Sequence, residues 1–236
     1  MSSDPVLTDR PGDRILRLRL DRPATRNAID TTMVDALLDA FAEGGRDRIS
    51  VVVLGSAQAG MFCSGADRDM GDAERATLSD RLYELYGRML ASPAVVLCAL
   101  DGAAVGGGAQ LAVAADLRLA SRQASLRFVG PGHGLAVGAW ALPSLVGRGR
   151  ALDICLTMRT VAAEEAFAIG LVDHFCEAPE AAALELATEI AALDADAVAR
   201  VKSVAAIAAA RAEALAAERD GNVGTWGGSL AGMRRG

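Results

Sequence analysis

The sequence predicts an α/β core followed by a helical region, and three observations carry that reading. Over about the first 137 residues, short apolar runs alternate with stretches of helical periodicity. Alternation at this spacing indicates strands joined by right-handed crossovers. From about Gly138 onward only helical spacing is evident. The chain has 236 residues, enough for one domain of moderate size. No internal repeat or long linker divides it. The expected organisation is one continuous unit, with the core over 1–137 and the helical region over 138–236.

Arg14 to Leu20 contains I-L-R-L-R-L, an alternation of apolar and charged residues that predicts a half-buried strand. Thr31 to Glu43 sets Met33, Val34, Leu37, Leu38 and Phe41 on one helical face, with Asp30 or Thr31 as its cap. Ile49 to Leu54 is a continuous apolar run ending at Gly55, the pattern of a strand buried on both faces. A Gly-, Ser- and Ala-rich loop follows from Ser56 to Gly71. Ala73 to Leu90 predicts a helix that buries Leu78, Leu82, Leu85 and Leu90. Ala94 to Leu100 predicts a second buried strand, and Leu117 to Ala120 a further one. Between them a glycine-rich turn, Asp101 to Gly108, enters a short helix at Ala109 to Ala115. Helices are expected over about 139–146, 148–156, 162–169, 180–192 and 194–219. The tail from Gly221 to Gly236 is rich in glycine and is expected to be loosely ordered.

Composition excludes several classes. Hydrophobic residues make up 52% and charged residues 23%, which excludes a disordered chain. Alanine supplies 49 positions and accounts for the positive mean hydropathy of +0.26. No continuous run of 18 apolar residues and no secretory signal is read, so a cytoplasmic protein without a membrane span is expected. The net charge of −6 argues against nucleic-acid binding. Lys202 is the one lysine among 24 basic residues, so arginine or backbone N–H groups must hold any bound phosphate. Four scattered cysteines (Cys63, Cys98, Cys155, Cys176) and two histidines (His133, His174) predict reduced thiols and no metal site.

Two glycine-rich turns follow buried strands: Phe62-Cys63-Ser64-Gly65-Ala66-Asp67, and Asp101-Gly102-Ala103-Ala104-Val105-Gly106-Gly107-Gly108. A glycine turn entering a helix can present N–H groups to an anion or a developing oxyanion. It can equally serve tight backbone packing. Neither turn is a nucleotide-phosphate motif.

Five segments in order form a wider pattern. They are Arg22-Pro23-Ala24-Thr25-Arg26-Asn27-Ala28, Phe62 to Asp67, and Asp101 to Gly108 with Leu111-Ala112 and Asp116-Leu117-Arg118. Leu145-Val146-Gly147 with Arg150-Ala151 comes next, and then Ala163-Glu164-Glu165-Ala166 with Gly170-Leu171-Val172. In this pattern the chain resembles the crotonase (enoyl-CoA hydratase/isomerase) superfamily over some three quarters of its length. The resemblance implies a spiral of ββα units capped by C-terminal helices that assemble a homotrimer or hexamer. It implies an acyl-CoA thioester as ligand, with coenzyme A entering as part of that ligand and no prosthetic group or metal. The thioester oxygen would be held by the backbone N–H groups of Ala66 and Gly107. The CoA would be gripped near Arg26, Ala28, Ala66, Asp67 and Arg68, although Arg68 stands where the family usually has an aliphatic residue.

The same resemblance exposes departures. Hydratases of this family use two glutamates. The position of the first is Gln110, an amide that cannot take up a proton. The position of the second falls near Gly130, and no Asp or Glu occurs from Leu117 to Leu152. His133 is the surviving candidate for proton transfer there, or else a loop histidine facing solvent. Trp140 is expected to pack or to wall the acyl pocket. The expected function is an acyl-CoA-binding protein that keeps the oxyanion donors and lacks the acid–base pair. The alternatives are an enoyl-CoA hydratase or isomerase, and a decarboxylase that needs only enolate stabilisation. The last would need Gln110 or Arg127 to face a leaving carboxylate.

Overall fold

The structure is a computed structural model that describes residues 4–46, 49–67 and 70–223. Four units build it, each adding a strand to one large sheet. β1 (Val6–Gly12) and β2 (Ile15–Leu20) form an antiparallel hairpin, followed by α1 (Thr31–Arg46). The next units are β3 (Val51–Ser56), β4 (Gly60–Cys63) and α2 (Asp72–Ala91), then β5 (Val95–Leu100), β6 (Gly102–Val105) and α3 (Gly107–Ala114). β7 (Leu117–Ala120) and β8 (Ser125–Arg127) precede α4 (Leu142–Val146) and α5 (Arg148–Thr157). β9 (Val161–Ala162), α6 (Ala163–Ala168) and β10 (His174–Phe175) follow, and then α7 (Pro179–Ala191), α8 (Ala195–Ala209) and α9 (Arg211–Val223). The six-stranded sheet runs β1-β2-β3-β5-β7-β10 and the four-stranded sheet β4-β6-β8-β9. After the opening hairpin, whose two strands both join the six-stranded sheet, the chain alternates between the sheets within each unit, which is the ββα spiral.

The continuous apolar runs have a direct cause. Leu16, Leu18, Val52, Leu54, Val96, Cys98 and Leu100 face the central core, where α1, α2 and α3 pack. The alternate residues Ile15, Val51, Val53, Leu97, Ala99 and Leu119 join a second cluster with Ala183 and Ala187 of α7. With both faces covered, no polar alternation survives in β3 or β5. In β2 it does survive. Arg17 donates to Asp9 of β1 at 2.6 Å and to Glu180 at the start of α7 at 2.8 Å.

Asp30 caps α1 by accepting the Met33 N–H at 2.8 Å, and the five residues expected on its face are buried. α2 buries Leu78, Leu82 and Leu85 as expected, and also Tyr83, Tyr86 and Met89. The side chain of Lys202 in α8 is 8% exposed. Its ammonium donates to the carbonyls of Met89 at 3.1 Å and Ala94 at 2.8 Å, and pairs with Asp116 at 2.7 Å. One side chain thus ties the end of α2 to the entry of β5.

Three expectations are corrected. The region after Gly138 is not purely helical, because β9 and β10 return to the two sheets. Strands of two residues are too short to show a period. The helix expected over 139–146 is confined to Leu142–Val146. The single helix expected over 194–219 is two helices, α8 and α9, broken at Ala210 with φ of +47°. That break turns α9 back onto α2. Gly221 to Val223 close α9, and the rest of the glycine-rich tail lies outside the described residues.

Candidate functional site

The two glycine turns of the sequence come together beside the start of α3. A parallel bridge joins Ile29 to Ala66: Ile29 N–H donates to the Gly65 carbonyl and Asp67 N–H to the Ile29 carbonyl, both at 2.8 Å. In this pattern the ladder bonds pass through the neighbours of Ala66, and its own N–H points away from Ile29. Gly65 has φ of +99°, and a Cβ there would lie 2.9 Å from the Val105 carbonyl oxygen and 3.9 Å from the Gly107 nitrogen. The peptide leading to Ala66 thus lies against the turn that opens α3. Gly107 is the first residue of α3, so its N–H has no partner within the helix. An N–H at a helix start is the kind of donor that can face a developing oxyanion. Gly108 allows this approach, because a Cβ there would sit 2.6 Å from Cys63 Cβ. Gly65→Ala is expected to cost about 1–3 kcal/mol from backbone strain alone. Urea unfolding of that variant at wild-type stability would contradict the packing described.

The turn before the bridge is pinned from inside. Arg26 and Asn27 both have positive φ, of 54° and 55°. The Asn27 amide is fully buried, accepting from Arg22 N–H at 2.8 Å and from Gln58 at 2.6 Å. It donates to Ser56 and to the Phe62 carbonyl, both at 2.9 Å. Asn27 therefore holds the loop while Arg26 stays exposed. Ala28 is buried, and its carbonyl accepts from the Arg22 guanidinium. Asp67 is paired with Arg22 at 3.4 Å and Asp30 with Arg22 at 3.0 Å, so Asp67 braces the loop. Arg68 lies outside the described residues.

The surroundings of Gly107 are largely apolar. A Cβ there would meet Ile29 and Leu82 at 3.5 Å and the Tyr86 hydroxyl at 3.7 Å. Tyr86 donates to the Gly107 carbonyl at 3.0 Å and stacks on Trp140 with ring centroids 6.1 Å apart. Gln110 lies one turn further along α3 and is buried. Its oxygen accepts from the Trp140 indole at 2.9 Å and from Gly138 N–H at 3.1 Å. Trp140 is 2% exposed, and the Arg211 guanidinium lies 5.1 Å from its ring centroid. His133 is exposed, on the short helical turn Gly130–His133. Arg127 is also exposed and donates to the Met158 carbonyl at 2.8 Å.

One group was missed from the sequence. Glu218 of α9 is buried beside Gln110 and Trp140. Its carboxylate accepts from the Tyr83 hydroxyl at 2.9 Å, Trp140 N–H at 3.0 Å and Gly138 N–H at 3.3 Å. Burial pushes its pKa up to about 7, against the lowering effect of those donors. Asn222, one turn on, donates to the Tyr83 hydroxyl at 2.9 Å and exchanges two bonds with the Ala136 backbone. The available signal was the spacing of Leu215, Glu218 and Asn222 on the buried face of one helix.

The family model described as enoyl-CoA hydratase/isomerase matches residues 11–227. The chain belongs to the enoyl-CoA hydratase/isomerase family. Among its relatives, "Probable enoyl-CoA hydratase echA6" of Mycobacterium bovis is 38% identical over 184 residues, covering 77% of this chain and 74% of that one. "Enoyl-CoA hydratase domain-containing protein 2, mitochondrial" of Homo sapiens is 36% identical over 172 residues, covering 70% of this chain and 59% of that one. The crystal structure of an enoyl-CoA hydratase from Mycobacterium avium subsp. paratuberculosis superposes with a TM-score of 0.86 at 26% identity, covering 97% and 96% of the two chains. The family's ββα spiral and C-terminal helices are both present here. Among the described residues, no group of three His, Cys, Asp or Glu side chains could hold a metal, and no helix is long and apolar enough to cross a membrane.

Proposed function

We propose that the chain binds acyl-CoA thioesters, with the Ala66 and Gly107 N–H groups on the thioester oxygen, and that it does not hydrate enoyl thioesters at an appreciable rate. The observation that carries this reading is the contrast at α3. The Gly107 N–H lacks a helical partner, whereas the side chain at 110 is an amide whose oxygen is taken by Trp140 and Gly138. Each oxyanion donor contributes on the order of 3–4 kcal/mol in comparable sites. Each missing acid or base lowers a rate by roughly 10²–10⁴.

Family membership and the relatives' names support a CoA thioester as ligand. Arg26, exposed at the rim, supports contact with CoA phosphates. Ile29, Leu82, Tyr86 and Trp140 wall the acyl end, and coenzyme A arrives with the ligand rather than as a resident group. Exposed Leu152, Leu156, Phe167, Val201 and Val204 support assembly into a homotrimer or hexamer. Decarboxylation finds less support. Arg127 turns to the Met158 carbonyl at the surface, and the Gln110 oxygen is already bonded.

Calorimetric titration with saturated acyl-CoAs of several lengths, paired with a crotonyl-CoA hydration assay on the same sample, tests the proposal. Micromolar binding with turnover at or near background is expected. Clear turnover, or no binding at any chain length, would overturn it.

A further inference from the structure

We infer that the Glu218 carboxyl, delivered by α9 to the end of the Gln110 side chain, is the proton-transfer group of this site and exchanges the hydrogen on the carbon next to a bound thioester carbonyl. The inference rests on the acyl-CoA reading above and adds an activity to it.

Placement is the first argument. Gly138 N–H lies 3.1 Å from the Gln110 oxygen and 3.3 Å from a Glu218 oxygen. Trp140 contacts the same two side chains, the amide through its indole and the carboxyl through its backbone N–H. Amide and carboxyl therefore lie side by side, and Gln110 itself follows Gly107 by one turn of α3. The second argument is the residue type at 110. A glutamate there would set two carboxylates around one shared donor in a buried site, where both cannot stay ionised. An amide avoids that while still accepting from the Trp140 indole and Gly138 N–H. The charge absent from α3 is thus present on α9, arriving from a different part of the chain.

With its pKa pushed up to about 7, Glu218 populates both acid and base forms near neutrality. The groups facing it are Tyr83 and Tyr86 of α2, Cys155 of α5 and Gln110 of α3, with Asn222 on its own helix and Arg211 across the Trp140 ring. In the step itself, the carboxylate takes the α-hydrogen as a proton. The C–H electron pair becomes the enolate double bond, and the carbonyl pair moves onto the oxygen held by the Ala66 and Gly107 N–H groups. Return of a solvent-exchanged proton restores the thioester. A single carboxyl suffices for this cycle, whereas hydration must also activate a water.

The test uses the full chain with butyryl-CoA in D₂O. Proton NMR follows the α-methylene signal, and calorimetry follows binding on the same samples. Exchange is expected in the wild type, at a rate that rises with pH through about 7. Glu218→Gln is expected to bind butyryl-CoA as before and to exchange roughly 100-fold more slowly or worse. Binding without exchange in the wild type, or wild-type exchange in Glu218→Gln, would overturn the inference. Absence of binding in the wild type would overturn the acyl-CoA reading, and this inference with it. If Glu218→Gln does not fold, Glu218→Asp withdraws the carboxyl by one methylene and is expected to slow exchange at least tenfold; an unchanged rate overturns the inference.

Discussion

Between pH 4.5 and 7 the wild-type chain is expected to lose about 3 kcal/mol of folding stability relative to Glu218→Gln. The sign follows from the direction of the shift. Burial raises the Glu218 pKa from 4.5 in the unfolded chain to about 7 in the folded one. Over that interval the folded state holds a proton that the unfolded state has released. The contribution is therefore complete below pH 4.5 and is lost as pH rises through 7. Asp9 and Glu165 shift the other way, each lowered first by a hydrogen bond from an arginine. Their contributions fade only in more acidic solution. Urea titrations of wild type and variant at pH 4.5, 6 and 8 isolate the Glu218 part as the change in their difference. Parallel stability curves across the three pH values would refute the burial of this carboxyl.

Arg118→Ala is expected to cost about 2–4 kcal/mol, from lost hydrogen bonds to buried carbonyls and a lost buried side chain. The guanidinium is 1% exposed and pairs with Asp173 at 2.6 Å. It also donates to the carbonyls of Leu171 at 2.9 Å and Ala115 at 2.8 Å. Removing it takes the side-chain donor from the Leu171 and Ala115 carbonyls and leaves the Asp173 carboxylate with the backbone N–H of residue 118 at 2.8 Å, where β7 meets the turn leading into β10. Arg118→Lys is expected to recover little, since one ammonium cannot span acceptors on three residues. A loss below 1 kcal/mol in equilibrium unfolding would show that the network is not what closes this end of the sheet.

The parts of the fold legible in the sequence are those with a strong period. β3 and β5 were readable because burial on both faces makes their runs apolar, and β7 from Leu117, Leu119 and Ala120 around the buried Arg118. α1 was readable from its stripe of large apolar residues. β1 was not, because an edge strand carrying Asp9, Arg10 and Pro11 shows no apolar run. β6 lay hidden in Gly102-Ala103-Ala104, where small residues form the strand because the adjacent strand and loop approach so closely. The break at Ala210 left no mark at all, since alanine is the best helix former and gives no stop signal. That one missed turn also hid Glu218, whose partners exist only once α9 folds back.

At the site, the two glycine turns that come together were legible as turns following buried strands. The amide at Gln110 was legible as a departure, but its bond to Trp140 was not, because thirty residues of chain separate them. His133, the sequence candidate for proton transfer, is exposed on a surface turn, whereas the buried carboxyl comes from residue 218.

The central claim is that Ala66 and Gly107 polarise a bound thioester. Carbon NMR of butyryl-CoA labelled with ¹³C at the thioester carbonyl measures that directly. A downfield shift of the carbonyl is expected on binding to the wild type, as two N–H groups draw charge onto the oxygen. A bound carbonyl resonating at its free position would contradict it.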